Sequence, residues 1–481
     1  WTAFKNRGDN GDTNDTNAII ADILRLRAER AQILGFPTHA HLRMADTMAQ
    51  TPDRAQELMM RVWPAAVARV REEVADMQAV AEQAGDKLQL EPWDYRYYAE
   101  KVRKARYDLD ENEIKPYFQL DNLKQGLFYM AEQLYGFRFS PVQGLPRIHP
   151  DVSVYEVKDR AGKHVGLWYF DPYARNGKSS GAWMNEYRTQ EKFRRPVPPI
   201  VSNNSNFLKA AAGTPVLLSF DDAETMFHEF GHALHGLNSR VRYPSLAGTN
   251  VCRDFVEFPS QFHEHYLTTP EVLSRFALHY QTGQPMPAEL VEKIERASTF
   301  NSGFATVEYL ASAIVDMKLH LAKDGRVNAR EFEKQTLADL GMPPQMVMRH
   351  RLPHFNHLFS DDGYAAGYYS YLWSEVLDHD AYEAFLEAGG DVDARVRVRI
   401  AELRGAIALV RRLLMALPEG ETMVPLPARA GEGAALIEGF RGDCLHWLRL
   451  DEGGVIRAVF LRDPSWLQWP LLEAAIEGNI V

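Results

Sequence analysis

Apolar side chains recur at helical spacing along most of this chain, and that periodicity confines it to a mainly helical fold. In Ala18 to Leu34, Ile19, Ile20, Ile23, Leu24, Leu26 and Ile33 are spaced among charges as an amphipathic helix requires. The same pattern covers Pro52 to Gly85, with a kink expected at Pro64, then Pro92 to Asp108 and Asp121 to Tyr135. Helices resume at Asp221 and fill most of the chain to Leu386. One stretch departs from the pattern: Val152 to Val157 and Val165 to Phe170 are β-branched and aromatic, with a turn around Gly162, and read as a β-hairpin. Asp171 to Trp183 follows as a glycine-bearing loop without the Lys-Ser ending of a phosphate-binding loop.

The character changes near Gly389-Gly390-Asp391, which places a domain boundary at about 389. Val392 to Leu417 reads as an arginine-rich helix within a helix-and-linker segment, 389–433, whose Pro418 to Gly433 portion is the linker. In the final segment, 434–481, Cys444 to Leu450 and Val455 to Leu461 form a second hairpin, so the chain ends in a short α+β piece.

Charge and composition remove several classes. Acidic residues outnumber basic ones, 65 to 54, the net charge is -11, and no basic tail exists, which speaks against a nucleic-acid partner. No run of about 18 apolar residues is present, so no membrane span is expected. The two cysteines, Cys252 and Cys444, support neither a disulfide framework nor a four-thiolate site, and any metal must be held by histidine and carboxylate. The chain opens on Trp1 and enters a helical pattern almost at once, as a piece of a longer protein would.

The chemistry is concentrated in His228-Glu229-Phe230-Gly231-His232. Ser219 or Asp221 can cap the helix that carries it, with Asp222 or Glu224 closing a capping box. One helical turn separates the two histidines, so their imidazoles converge on one point, and Glu229, about 100° round the helix, reaches a metal-bound water without being a ligand. The bare five-residue pattern also arises by chance; its place on a capped helix followed by an acidic segment is what favours zinc. No third histidine stands at the short Gly-x-x-His distance, so the third ligand must be a carboxylate, and spacing leaves Glu257 and Glu264 both open. In His263-Glu264-His265, neighbours two apart point to opposite sides of a helix, and an exposed polar face is expected there. Further on, Tyr364, Tyr368 and Tyr371 at i, i+4 and i+7 would share a helix face close behind His357, as a packed core stripe or as donors to an oxyanion.

Three segments together, HEFGHALHGL from His228, RDFVEFPSQ from Arg253 and GYAAGYYSYLWSEV from Gly363, resemble the thimet oligopeptidase and peptidyl-dipeptidase family of zinc metallopeptidases, over residues 1–388. That resemblance implies one zinc held by His228, His232 and Glu257, with Glu264 accessory or structural. It implies a helical fold of two lobes flanking a channel, with a small sheet beside the zinc to which the 152–170 hairpin contributes. It also implies a truncated N-terminal portion. His357, Tyr364 and Tyr371 become transition-state donors, Tyr368 orients substrate, and the 171–183 loop, with Gly181, lies close to it. The expected reaction is hydrolysis of short peptides, releasing C-terminal dipeptides, by a metal-bound water with Glu229 as general base. The expected compartment is the cytoplasm, with the periplasm as the alternative.

The end of the chain, EGFRGDCLHWLRLD from Glu438 and RDPSWLQWPLLEAAIEGNIV from Arg462, resembles a fragment of the large subunit of membrane-associated nickel-iron hydrogenases. Such subunits hold their metals with paired cysteines, and Cys444 stands alone here, so neither that cofactor nor that activity is expected. A recombined or misassembled reading frame is favoured over a natural fusion, and hydrogenase-complex partners are expected only for the latter. Two rivals to peptidase action follow: a catalytically impaired chimeric remnant, and a redox-complex subunit or interaction module.

Overall fold

In the computed structural model, which describes residues 1–211, 213–387, 430–439, 442–453 and 455–462, the first amphipathic stretch folds as the helix Asn17–Ile33, burying Ile20, Leu24, Ala28 and Ala31. A long helix, Pro52–Gln83, follows: Thr51 caps it by accepting from the Arg54 N–H, and Pro52 occupies its first turn. The helix is continuous through Pro64, the position where the sequence suggested a kink. Proline there removes one helical hydrogen bond, and burial of the flanking Trp63 and Val67 against the core offsets that loss. Two shorter helices, Tyr95–Tyr107 and Leu120–Tyr135, complete this part. The second ends where Gly136, at φ +70°, turns left-handed and donates to the Glu132 carbonyl.

The expected hairpin forms. Strands β2 (Ser153–Lys158) and β3 (His164–Tyr173) pair antiparallel, and Asp159 Oδ1 fixes their turn by accepting from the Ala161 and Lys163 N–H groups. It is the middle of a five-stranded sheet of order β1-β2-β3-β5-β4, completed by β1 (Arg138–Pro141), β4 (Trp183–Arg188) and β5 (Ile200–Phe207). Strand β3 runs on through Tyr173 and β4 begins at Trp183, so the loop expected over 171–183 shortens to 174–182. Strand β5, Ile-Val-Ser-Asn-Asn-Ser-Asn-Phe, is polar in sequence yet buried, because its amides are used internally: Asn203 Oδ1 accepts from Trp168 Nε1 at 2.6 Å.

Two hydrophobic clusters result. One packs the long helix against the helix Ser302–His320 and takes in Ala366, Tyr368 and Tyr369. The other lies between the sheet, the helix Leu120–Tyr135 and the helix Phe220–Asn238, where Trp168, Phe227 and Phe230 are fully buried.

By compactness the chain divides into Trp1–Ala394 and Arg395–Val481. In the second unit, β6 (Gly431–Gly439), β7 (Gly442–Leu450) and β8 (Ile456–Arg462) form an antiparallel sheet in that order. The β7–β8 pair is the second expected hairpin, closed by the Asp451 N–H on the Val455 carbonyl. Strand β6 begins inside the stretch expected as linker. The expected helix 392–417, the rest of the linker to 429, and residues 463–481 of the hydrogenase-like segment lie outside the described residues. Among the described residues no helix is long and apolar enough to cross a membrane.

Candidate metal centre and active site

The helix Phe220–Asn238 carries the two histidines, and its start settles the capping alternatives. Ser219 Oγ accepts from the Asp222 N–H, and Asp222 accepts in return from the Ser219 N–H. Glu257 lies at the N-terminus of the short helix Phe258–Glu264, which crosses close behind the first. Gly231 permits that approach, since a Cβ there would stand 2.8 Å from Ser260 Cα and 2.9 Å from the Pro259 carbonyl oxygen. The glycine of the motif is therefore a packing residue for the helix that presents Glu257.

His228 Nε2 lies 3.3 Å and His232 Nε2 3.2 Å from the same oxygen, Glu257 Oε2. Glu257 is 1% exposed. Burial alone would push its carboxyl up, but the two imidazoles outweigh that and hold it well below the usual carboxylate range. For His228 the balance is the mirror image: burial opposes its charge, while Glu257 and Glu264 prevail and raise it. One ligand atom from each of His228, His232 and Glu257 lies within 4.8 Å of the others, the donor set and open count of a catalytic zinc site.

Glu264 has its own place. Its Oε1 is 2.6 Å from His228 Nδ1, so it holds that ring with Nε2 turned to Glu257. The exposed polar face expected for residues 263–265 is not there. His263 is 4% exposed, between Tyr135 Oη and the Pro259 carbonyl. His265 bonds Asp378 and stacks on Tyr382. The short helix is enclosed on both sides, which its sequence pattern did not reveal.

Glu229 is buried beside the cluster, and its Oε2 has no hydrogen-bond partner among the described residues. Burial raises its carboxyl above the ordinary range, partly offset by His228 and His232. Its backbone carbonyl accepts from Asn203 Nδ2 at 2.5 Å, which ties the motif to β5. Asn203 has no signal in the sequence; only the fold gives it this role.

The tyrosines reach the centre by a route other than the expected helix face. Gly363 to Tyr369 form turns, and the helix begins at Ser370. Asp316, fully buried, dictates this: Oδ1 accepts from the Ala366 N–H at 2.8 Å and Oδ2 from the Tyr368 N–H at 3.0 Å. Ala366 is held at φ +55°, a conformation that alanine rarely adopts. The Tyr364 hydroxyl donates to Glu257 Oε1 at 2.5 Å, and the Tyr364 ring stacks on Tyr371 with 5.8 Å between centroids. His357 stands 5.5 Å from the Tyr364 ring, and burial lowers its imidazole. Tyr368 is 3% exposed, packed among His357, Phe355 and Tyr371. Arg253 places its guanidinium over the Tyr364 ring, 4.6 Å from its centre. Gly181 is exposed in the 174–182 loop, its carbonyl accepting from Asn206 of β5.

The model of peptidase family M3 matches residues 1–399. The chain belongs to peptidase family M3. It is 44% identical over 394 residues to the dipeptidyl carboxypeptidase of Escherichia coli (strain K12), covering 81% of this chain and 57% of that one. It is 34% identical over 395 residues to oligopeptidase A of Salmonella typhimurium, covering 81% and 58%. With organellar oligopeptidase A of Arabidopsis thaliana it shares 36% over 410 residues, covering 81% and 51%. The chain thus spans little more than half the length of these relatives. Zinc is the metal of this M3 centre, and the His228, His232 and Glu257 donors suit it.

Proposed function

We propose that this chain hydrolyses short peptides at a zinc held by His228, His232 and Glu257, releasing dipeptides from the C-terminus. The convergence of both imidazole Nε2 atoms on Glu257 Oε2, with Glu229 buried alongside, carries the reading. The relatives named dipeptidyl carboxypeptidase support the product size. Zinc, when bound, supplies a Lewis acid that polarises the scissile carbonyl and acidifies the attacking water. Glu229 takes the proton of that water and delivers it to the departing amine nitrogen, a task suited to a carboxylate whose affinity for protons is raised by burial. Glu264 keeps His228 aligned. Tyr364 and Tyr371, with His357 behind them, supply hydrogen bonds to the oxyanion. Among the described residues strand β4 is an edge of the sheet, paired with β5, and an extended peptide adds to its other side, next to the Gly181 loop. The cytoplasm is the compartment that goes with this reading.

The test is an N-acetylated hexapeptide incubated with the zinc-loaded chain and followed by mass spectrometry. Successive loss of C-terminal dipeptides, abolished by a chelator and restored by zinc, is the expected result. Internal cleavage would overturn the product assignment, and no cleavage despite bound zinc would favour the impaired chimera.

A further inference from the structure

Among the described residues only one other group matches the catalytic cluster in holding three metal-ligating atoms within 4.8 Å: His265, Asp378 and His379. His265 comes from the turn after the helix Phe258–Glu264, and the other two from the helix Ser370–Glu387. His265 Nε2 is 2.8 Å from Asp378 Oδ2, a separation comparable with the 3.2 and 3.3 Å that join His232 and His228 to Glu257.

A plain hydrogen-bonded pair would account for His265 and Asp378, but it leaves two features unused. Asp378 is 3% exposed, and its second oxygen, Oδ1, has no hydrogen-bond partner among the described residues. A buried carboxylate oxygen left so is uncommon, because it forfeits its solvation without return. In addition, the His265 ring is fixed rather than free: it stacks face to face on Tyr382, 3.9 Å between centres and 7° from parallel, with His379 5.7 Å away on the edge. One rigid imidazole, one buried carboxylate and one exposed imidazole form a preorganised half-shell open to solvent. Glu375, one turn before His379 and 3.9 Å from its Nε2, is within reach as a fourth donor, through oxygen.

We propose that His265, Asp378 and His379 form a second site for a divalent transition metal of the zinc class. Two imidazoles select such ions over magnesium or calcium, which prefer all-oxygen shells. The ion displaces the proton shared between His265 and Asp378, takes both nitrogens and one Asp378 oxygen, and leaves outer positions to Glu375 or water. The site is adjacent in sequence to Glu264, which holds His228, so its occupant is one residue from the support of the catalytic ligand.

The test uses the full chain dialysed to equilibrium against micromolar free zinc, with metal measured by elemental analysis. Two zinc equivalents are expected for the unaltered protein and one for His379→Ala, a substitution at an exposed position that leaves the His265–Asp378 hydrogen bond intact. His265→Gln should also retain one. His232→Ala should lose the other equivalent, which keeps the two sites distinguishable whether or not the peptidase reading holds. A single equivalent in the unaltered protein, or two in His379→Ala, would overturn the proposal.

Discussion

Glu257 and Glu264 show what spacing along a sequence does and does not settle. His228, Glu229 and His232 were legible because a single helix fixes their relation, one turn and about 100°. Glu257 was not legible by spacing, since its position depends on how a second helix crosses the first; the resemblance to a peptidase family was needed to choose it. In the structure both carboxylates serve His228, one at each ring nitrogen. Different consequences follow for the two. Glu264→Gln keeps the shape and a hydrogen-bonding oxygen but removes the charge that orients the imidazole, so zinc affinity should fall by roughly 10- to 100-fold with the ligand set unchanged. Competition with a chromophoric chelator reads this directly, and unaltered affinity would make Glu264 a bystander. Glu229→Gln should behave in the opposite way, retaining zinc while kcat falls by roughly 10²- to 10⁴-fold, since it removes a proton acceptor and no ligand.

At the level of elements, Gly231 and Asp316 matter more than their side-chain chemistry suggests. The contacts of Gly231 with the Ser260 and Pro259 backbone leave no room for a methyl group. Gly231→Ala should push the helix Phe258–Glu264 outward and carry Glu257 away from the histidines. Weaker zinc binding together with a lower melting temperature is the expected pair of effects; a loss of about 1–3 kcal/mol is typical of such overpacking. Unchanged zinc affinity would show that the helices yield elsewhere. Asp316 shapes the tyrosine turn by accepting two backbone N–H groups and bonding His320 at 2.8 Å, and His320 in turn meets Arg27. This network explains why the regular Tyr364, Tyr368, Tyr371 spacing does not give a helix: Gly363 and Gly367 weaken one, as the sequence already indicates, and a buried carboxylate on another helix, which a local pattern cannot register, holds the turn instead. Asp316→Asn preserves one acceptor at most for the two N–H groups. On the proposed reading, in which the displaced hydroxyls act in the transition state rather than in peptide binding, it should lower kcat more than it raises KM.

Over the peptidase unit as a whole, the centre lies where its two hydrophobic clusters meet: the histidine helix belongs to the sheet-side cluster, and Tyr364, Tyr368 and Tyr371 pack on the other. The helices were readable because their apolar period is long; β1, β4 and β5 were not, because four polar residues of β5 are buried only by virtue of strands and a helix distant in sequence. The same burial sets the acid response. His39 is 1% exposed, and desolvation lowers its imidazole from 6.5 to about 4 in spite of the Asp362 carboxylate 3.1 Å away. Burial, aided by the neighbouring His357 and Arg349, lowers His350 to about 3. Both are neutral when folded and take up a proton on unfolding below the unfolded value, so the unfolded chain binds more protons in that range. Their contribution is complete above pH 6.5 and is lost as pH falls towards 4 for His39 and towards 3 for His350, by up to about 1.4 kcal/mol per pH unit for each. Asp362, whose carboxyl is held below its ordinary range by His39 and Arg30 despite its own desolvation, loses its share at still lower pH and cannot compensate. Glu224, which burial raises to about 7, acts in the opposite sense over part of this range, so the test is a comparison: in urea unfolding of the metal-free chain in excess chelator, the unaltered protein should lose more stability between pH 6.5 and 4 than His39→Gln does. An equal loss in the two proteins would show that His39 gains its proton while folded.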